Sequence, residues 1–146
     1  MKPTPSGWPR ISSAVYYQNP AAAIDWLCEA FGFEVRIKVQ GNDGSIVHSE
    51  LLFGEGLIMV SAAKKEDKPE WGYRRSPRSI GGVNTQNMMV YVDDVEAHCR
   101  RAREAGARIV AEPSTTDYGE GYWVDRGYEV EDLDGHHWWF YQRLKG

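Results

Sequence analysis

Tyr118–Tyr141 reads YGEGYWVDRGYEVEDLDGHHWWFY and carries three of the six tryptophans of the chain, Trp123, Trp138 and Trp139. The stretch spells strand, tight turn, strand. Arg126 to Glu131 is the first arm, Asp134-Gly135 is the turn signal, and His137 to Tyr141 is the second arm, aromatic at nearly every position. Side chains of a strand alternate between faces, so His137, Trp139 and Tyr141 share one face and His136, Trp138 and Phe140 the other. Large aromatics on both faces mean that the strand is covered twice. One face is expected to lie on a helix. The other is expected to meet a ligand that accepts flat, partly polar walls.

Working outward, each segment punctuates itself. Arg10 to Tyr17 reads as a strand with Ser12, Ala14 and Tyr16 on one face. Asn19-Pro20 starts a helix, Asn as cap and Pro in the first turn. Ile24, Leu27, Cys28 and Phe31 then recur at helical spacing until Gly32 stops it. Glu34 to Val39 is a strand, Asn42-Asp43-Gly44 a turn, and His48 to Phe53 with Leu57 to Ala62 a hairpin around Gly54-Glu55-Gly56. Thr85 to Val92 is the next strand, with Asn87, Met89 and Tyr91 on one face. Asp93 is expected to cap a second helix, with Glu96 at the capping-box spacing and Val95, His98, Cys99 and Ala102 as its apolar stripe, ending at Gly106. Arg108 to Val110 reads as a short strand and Pro113 to Trp123 as a loop.

These segments repeat. Asn19 to Gly32 and Asp93 to Gly106 are equal spans, and the second is the first shifted by 74 residues. Each copy reads β-α-β-β-β, too small to bury its own sheet, so the expectation is a single α+β domain over 1–146. It comprises module one at 9–63, a linker at 64–84 and module two at 85–143, the two tandem β-α-β-β-β modules forming a curved mixed-sheet cup. The linker holds the charged run Lys64 to Lys68, then Trp71, Arg74, Arg75 and Arg78. A stretch of that length inside a small domain suggests a lid or connector.

Bulk composition bounds the function. With 146 residues, 42% hydrophobic and 26% charged, the chain has the make-up of a globular domain with a real core. A net charge of -4 speaks against a nucleic-acid partner. No apolar run approaches a membrane span, and the start MKPTPSGWPR lacks the apolar core of a secretory signal, so a cytoplasmic protein is expected. Two lone cysteines, Cys28 and Cys99, both on helices, read as reduced thiols rather than a disulfide framework.

The segments AAAIDWLCEAFGFEV, HSELLFGEGLIMVSA, VYVDDVEAHCRRAREAGARIV and DRGYEVEDLDGHHWWFY resemble the vicinal-oxygen-chelate superfamily: glyoxalase I, bleomycin-resistance proteins and extradiol dioxygenases. The resemblance runs from about Pro9 to Arg143 and is nearest to glyoxalase-like, PhnB-like members. It implies a homodimer and, in the enzymes, one divalent metal held by His and Glu from four strands. Carried over by spacing from the capped helices and turn glycines, the four positions fall at Ser12, Glu50, Asn87 and Trp139. Only Glu50 has good metal chemistry, because Ser and Asn are weak neutral donors and indole does not ligate. A one-residue slip would present Ser13, Ser49, Met88 and Trp138, a poorer set. A different site built from Glu50 with His48 or His137 is the remaining metal alternative.

The expectation is therefore a metal-free small-molecule-binding protein without a cofactor, with an aromatic cup for a planar or cationic ligand, rather than an enzyme. The alternative is a divalent-metal-dependent lyase or dioxygenase centred on Glu50. The expected lining is Ser12, Tyr16, His48, Glu50, Asn87, Tyr91, Tyr128, Trp139 and Tyr141, with Ala14 and Met89 on the same faces and Trp123 overhanging from its loop. Trp26, Trp138 and Phe140 are expected in the core.

Overall fold

The computed structural model describes residues 1–63 and 65–146. Lys64, the first residue of the expected linker and of its charged run, lies outside the described residues. The chain forms two compact units, Met1–Ser76 and Pro77–Gly146, so the division falls inside the stretch expected to connect the modules.

The first unit runs β1 (Ser13–Tyr17), α1 (Pro20–Phe31), β2 (Glu34–Gln40), β3 (Ile46–Phe53) and β4 (Gly56–Ala62), followed by a 3-10 turn at Pro69–Trp71. The second repeats the order with β5 (Asn87–Tyr91), α2 (Val95–Glu104), β6 (Arg108–Asp117), β7 (Val124–Glu131) and β8 (His137–Lys145), preceded by a 3-10 turn at Pro77–Ile80. Each unit folds into a four-stranded sheet, ordered β1-β4-β3-β2 and β5-β8-β7-β6. In each, the first strand pairs with the last in parallel and the other pairs are antiparallel. The tandem β-α-β-β-β modules of an α+β fold are thus present.

Local chemistry explains the elements. Asn19 caps α1 by accepting from the Ala22 N–H at 3.1 Å, and Pro20 occupies the first turn. Gly32, at φ 87°, turns the chain back so that its N–H reaches the Cys28 carbonyl, as the left-handed cap requires. In the second helix the cap is Asp94, which accepts from Ala97 N–H at 3.0 Å, and not Asp93. Gly106, at φ 92°, is the stop, as the sequence suggested.

The core of each unit lies between its helix and one face of its sheet. In the first, Ile24, Leu27 and Phe31 are buried with Val15, Tyr17, Leu51 and Val60. In the second, Val95, Cys99 and Ala102 of α2 are buried with Tyr128, Val130, Trp138 and Phe140. Ser49 staples β3 to β4 where the ladder ends, its hydroxyl donating to the Val60 carbonyl at 2.6 Å and accepting from the Val60 N–H at 3.0 Å. Asp132 does the same for the β7–β8 turn. One oxygen accepts from the N–H groups of Asp134 and His136, the other from the Trp138 indole N–H, each at 3.0 Å. Cys28 and Cys99, both on helices, form no disulfide among the described residues, and burial raises the pKa of Cys99. Among the described residues, no helix is long and apolar enough to cross a membrane.

Two boundaries differ from expectation. β6 continues to Asp117, well past Val110. It tolerates Pro113 because it is an edge strand and its register shifts between Ala111 and Ser114, where no ladder N–H is needed. β5 is trimmed to Asn87–Tyr91 at both ends.

Candidate functional site

In the second unit, the register sets which side chains share the face away from α2. β5 pairs Asn87 with His137, Met89 with Trp139 and Tyr91 with Tyr141. β7 pairs Gly127 with Tyr141, Glu129 with Trp139 and Asp125 with Arg143. Paired residues point the same way, so this far face presents Asn87, Met89, Tyr91, His137, Trp139, Tyr141 and Arg143, with Asp125, Gly127 and Glu129 beside them. Trp139 and Tyr141 stack almost parallel, centroids 5.6 Å apart and planes 13° off. Gly127 makes this possible. A Cβ there would lie 2.4 Å from Tyr141 Cδ1, so the Tyr141 ring rests directly on the glycine backbone. Met89 is 56% and Tyr91 43% exposed, apolar and aromatic surface left at the rim of the stack.

Polar groups hold the two ends of the stack. At one end Glu129 pairs with His137 Nδ1 at 3.0 Å. At the other the buried Asp125 accepts from Arg143 Nε at 2.5 Å and from the Tyr91 hydroxyl at 3.0 Å, and Arg143 also donates to that hydroxyl. The Asp125 carboxylate raises the pKa of Arg143, and burial followed by the neighbouring Tyr118 and Asp125 raises that of Tyr141. The Arg143 guanidinium lies 5.1 Å from the Tyr91 ring centre and 5.0 Å from that of Trp123. Trp123 therefore borders the same group from the β6–β7 connection, where it also meets Tyr118 at 5.5 Å.

Tyr128 requires correction. It pairs with Phe140, not with the stack, and so belongs to the helix-covered face. It is fully buried, its hydroxyl 2.6 Å from His98 Nδ1 of α2 and its ring stacked on Phe140 at 5.6 Å. The alternation that placed Trp139 correctly along β8 was not carried across to β7, where the residues on the outer face are Gly127 and Glu129.

In the first unit, the far face carries Ala14 and Tyr16 from β1 and His48 and Glu50 from β3. Ser12 lies just before β1 rather than in it. Glu50 is 2% exposed, flanked by the helix-side Ser49 and Leu51. Its Oε1 is 3.8 Å from His48 Nε2, too long for a hydrogen bond, and its Oε2 has no hydrogen-bond partner among the described residues. The Ser12 hydroxyl is likewise buried without a hydrogen-bond partner among the described residues. A buried polar atom without a partner, such as Glu50 Oε2 or the Ser12 hydroxyl, is a place where an incoming hydrogen-bonding group would be stabilised. Tyr16, expected in the lining, has the guanidinium of Arg74 5.2 Å from its ring centre.

The residues were tested as a metal centre. Glu50 and Ser12 offer unengaged oxygens, but the Asn87 oxygen already accepts from Asn84 Nδ2 at 2.8 Å, Trp139 has no donor lone pair, and His137 is engaged by Glu129. Among the described residues no three His, Cys, Asp or Glu side chains are grouped so as to hold an ion. The donor set does not fit the four-strand metal site of the enzymes, and no reaction step is derived through one.

Sequence reasoning missed Gly127, Asp125, Glu129, Arg143 and Arg74. The signal for Gly127 was available, since a glycine inside a strand marks a close approach. Arg143 lay beyond the expected end of β8.

Comparison with known proteins agrees with the fold. Residues 10–140 match the family model described as the glyoxalase/bleomycin resistance protein/dioxygenase superfamily. An uncharacterised protein of Mycobacterium bovis is 32% identical over 132 residues, covering 89% of this chain and 80% of that protein. The crystal structure of TioX from Micromonospora sp. ML1 superposes with a TM-score of 0.69 at 32% identity, over 93% of this chain and 99% of that one. TnmS3, described as an antibiotic binding protein from Streptomyces sp. CB03234, shares the fold at a TM-score of 0.61 and 20% identity, over 90% of this chain and 93% of that one. The chain belongs to the glyoxalase/bleomycin resistance protein/dioxygenase superfamily.

Proposed function

We propose that the protein is a metal-free small-molecule-binding member of this superfamily that holds a planar or cationic ligand against the Trp139–Tyr141 face of its second unit. The observation that carries this reading is the near-parallel stack of Trp139 and Tyr141, laid on Gly127 and fixed at its ends by the Glu129–His137 hydrogen bond and the Asp125–Arg143 ion pair. A preformed flat aromatic surface favours a flat ligand, and the ring faces favour a cation. In the first unit, the unpartnered oxygen of Glu50 is the group offered to a ligand donor. The ligand-contact residues under this reading are Asn87, Tyr91, Trp123, Trp139 and Tyr141 in the second unit and, taken separately, Ser12, Tyr16, His48 and Glu50 in the first. An antibiotic-binding protein with this fold is a precedent for sequestration as the task. We further propose that both units act as one glyoxalase-like domain in a cytoplasmic homodimer. The exposed Val35, Ile37 and Val39 on the edge strand β2 give such a dimer apolar area to bury.

The test is binding of two planar probes, cationic proflavine and anionic anthraquinone-2-sulfonate, followed by calorimetry. Proflavine is expected to bind better, and Trp139→Ala to weaken it by about fivefold, the loss of one aromatic partner at about 1 kcal/mol. Trp139 is only partly exposed and stacked on Tyr141, so the variant should lose some stability, and its affinity is read at a temperature where circular dichroism shows it folded. Unchanged affinity in Trp139→Ala would sink this reading.

One observation favours a second reading, the metal-dependent lyase or dioxygenase. The Ser12 hydroxyl and one Glu50 oxygen, at two family ligand positions, are buried without hydrogen-bond partners among the described residues. Titration with Zn, Ni, Mn and Fe(II) separates the two. Stoichiometric uptake that disappears in Glu50→Gln supports the enzyme, and no uptake supports the binding protein.

A further inference from the structure

The segment after β4 folds back on itself through consecutive tight turns. Trp71 N–H donates to the Lys68 carbonyl at 2.9 Å, Gly72 N–H to Pro69 at 3.1 Å and Arg74 N–H to Trp71 at 2.9 Å. The result lays the Arg74 guanidinium on the indole of Trp71, 3.8 Å from the ring centre, which is contact distance for stacked planes. Tyr16 of β1 stands 5.2 Å from the same guanidinium and Tyr73 5.7 Å from it. Three aromatic rings thus enclose one planar cation. Arg74 Nε also reaches the Tyr73 hydroxyl at 3.4 Å. Among the described residues, no carboxylate lies within ion-pair distance of Arg74.

We propose that Tyr16, Trp71 and Tyr73 form a cation-binding cage in the first unit that the chain's own Arg74 fills, and that small molecules bearing a guanidinium or amidinium group compete with Arg74 for it. The occupant states the chemistry of the cage: a flat, delocalised cation taken by ring faces rather than by a counter-charge. The occupant is also replaceable. Lys68 and Lys65 place their ammonium groups 5.8 Å and 6.0 Å from the Trp71 ring centre, so three like charges crowd one indole. Among the described residues no ion pair anchors Arg74 against them, and the 70% exposed Tyr73 leaves the cage open on one side. A ligand cation entering from solvent would take the Arg74 place and release Pro69–Arg74 from Tyr16. Arg74 thus acts as an internal plug, and the strap it belongs to as a gate over Tyr16. The proposal does not depend on the Trp139–Tyr141 face.

The experiment is calorimetric titration of the full chain with phenylguanidinium, with phenylurea as an uncharged probe of the same shape. Arg74→Met is expected to bind phenylguanidinium about tenfold more tightly than wild type, the competition of one ring-held cation having been removed, and phenylurea no better. Arg74→Lys keeps the charge but loses the flat stacked plane, and should fall between wild type and Arg74→Met. Trp71→Leu added to Arg74→Met should erase the gain, whereas Trp139→Ala added to it should leave the gain in place. Arg74→Gln repeats the test should the methionine variant misfold. No gain on removing Arg74, a gain that survives Trp71→Leu, or an equal gain for phenylurea would each overturn the cage. Loss of the gain in the Trp139→Ala background would assign it to the second unit instead and overturn it too.

Discussion

At the scale of single residues, one atom decides how the aromatic face is built. Gly127 has no φ requirement that demands glycine; what it lacks is a Cβ, and Tyr141 uses the space. In Gly127→Ala the added methyl would meet two Tyr141 ring carbons at 2.4 Å and 2.5 Å and the Phe140 carbonyl at 3.1 Å. Backbone in a paired strand cannot yield far, so the ring must leave, taking with it the stacking on Trp139. The expected cost is about 1–3 kcal/mol in urea unfolding, the usual range for overpacking, with proflavine affinity falling alongside. A variant as stable as wild type with Tyr141 unmoved would show that the close approach is not obligatory. The same residue shows where the site was legible. Trp139, Tyr141 and Tyr91 were readable because period-two alternation is rigid along one strand. Gly127, Asp125 and Arg143 were not, because they enter the site through cross-strand register, and the sequence does not print which residue of β7 faces which of β8. Tyr128 was misplaced for that reason.

At the scale of elements, the two helices were visible through their punctuation, and the error at the second is informative. Asp93 and Asp94 are adjacent carboxylates, both able to cap, and the capping-box spacing from Asp93 to Glu96 favoured the first. The structure selects Asp94, whose side chain reaches Ala97 N–H, and α2 is correspondingly shorter, 10 residues against 12 in α1. The N–H of Val95, also in the first turn, is taken by the Gln142 side chain of β8 at 3.0 Å, so Asp94 leaves one orphan donor to the sheet. Asp94→Ala and Asn19→Ala should each lose about 1 kcal/mol. Asp93→Ala should lose no more than a few tenths, within the spread of exposed sites. Equal losses at Asp93 and Asp94 in denaturant unfolding would mean that the cap is shared. β6 was undercounted because Pro113 reads as a break, and only the strand's position at the sheet edge, a tertiary fact, makes proline harmless there.

At the scale of the whole molecule, the internal duplication was the most legible feature, since caps, stops and turn glycines recur at nearly constant offset and each copy needs the same chemistry to fold. The division of labour between the copies was not legible. One copy spends its far face on a bare aromatic stack. The other buries a carboxylate and covers its tyrosine with an arginine. The helix-side cores differ as well, and that difference makes a prediction about stability. The second unit buries Tyr128 against α2, and burial pushes the phenol pKa well above its ordinary value, as it does more mildly for Tyr141. A raised native pKa means that the folded chain holds its protons more tightly than the unfolded chain, whose tyrosines titrate at about 10. Their contribution to stability is therefore complete below about pH 10 and is lost as pH rises above that, when the unfolded state alone ionises. Urea unfolding followed from pH 8 to pH 11 should show a first loss above about pH 8.5, from the Cys99 thiol that burial likewise keeps protonated, and a steeper fall above about pH 10 from the tyrosines. Tyr128→Phe, which removes the phenol but keeps the ring on Phe140, should start lower through loss of the His98 hydrogen bond and then fall less steeply. If the variant and the wild type fall in parallel, the alkaline loss comes from other groups, and the helix-side burial of Tyr128 is not what the folded state protects.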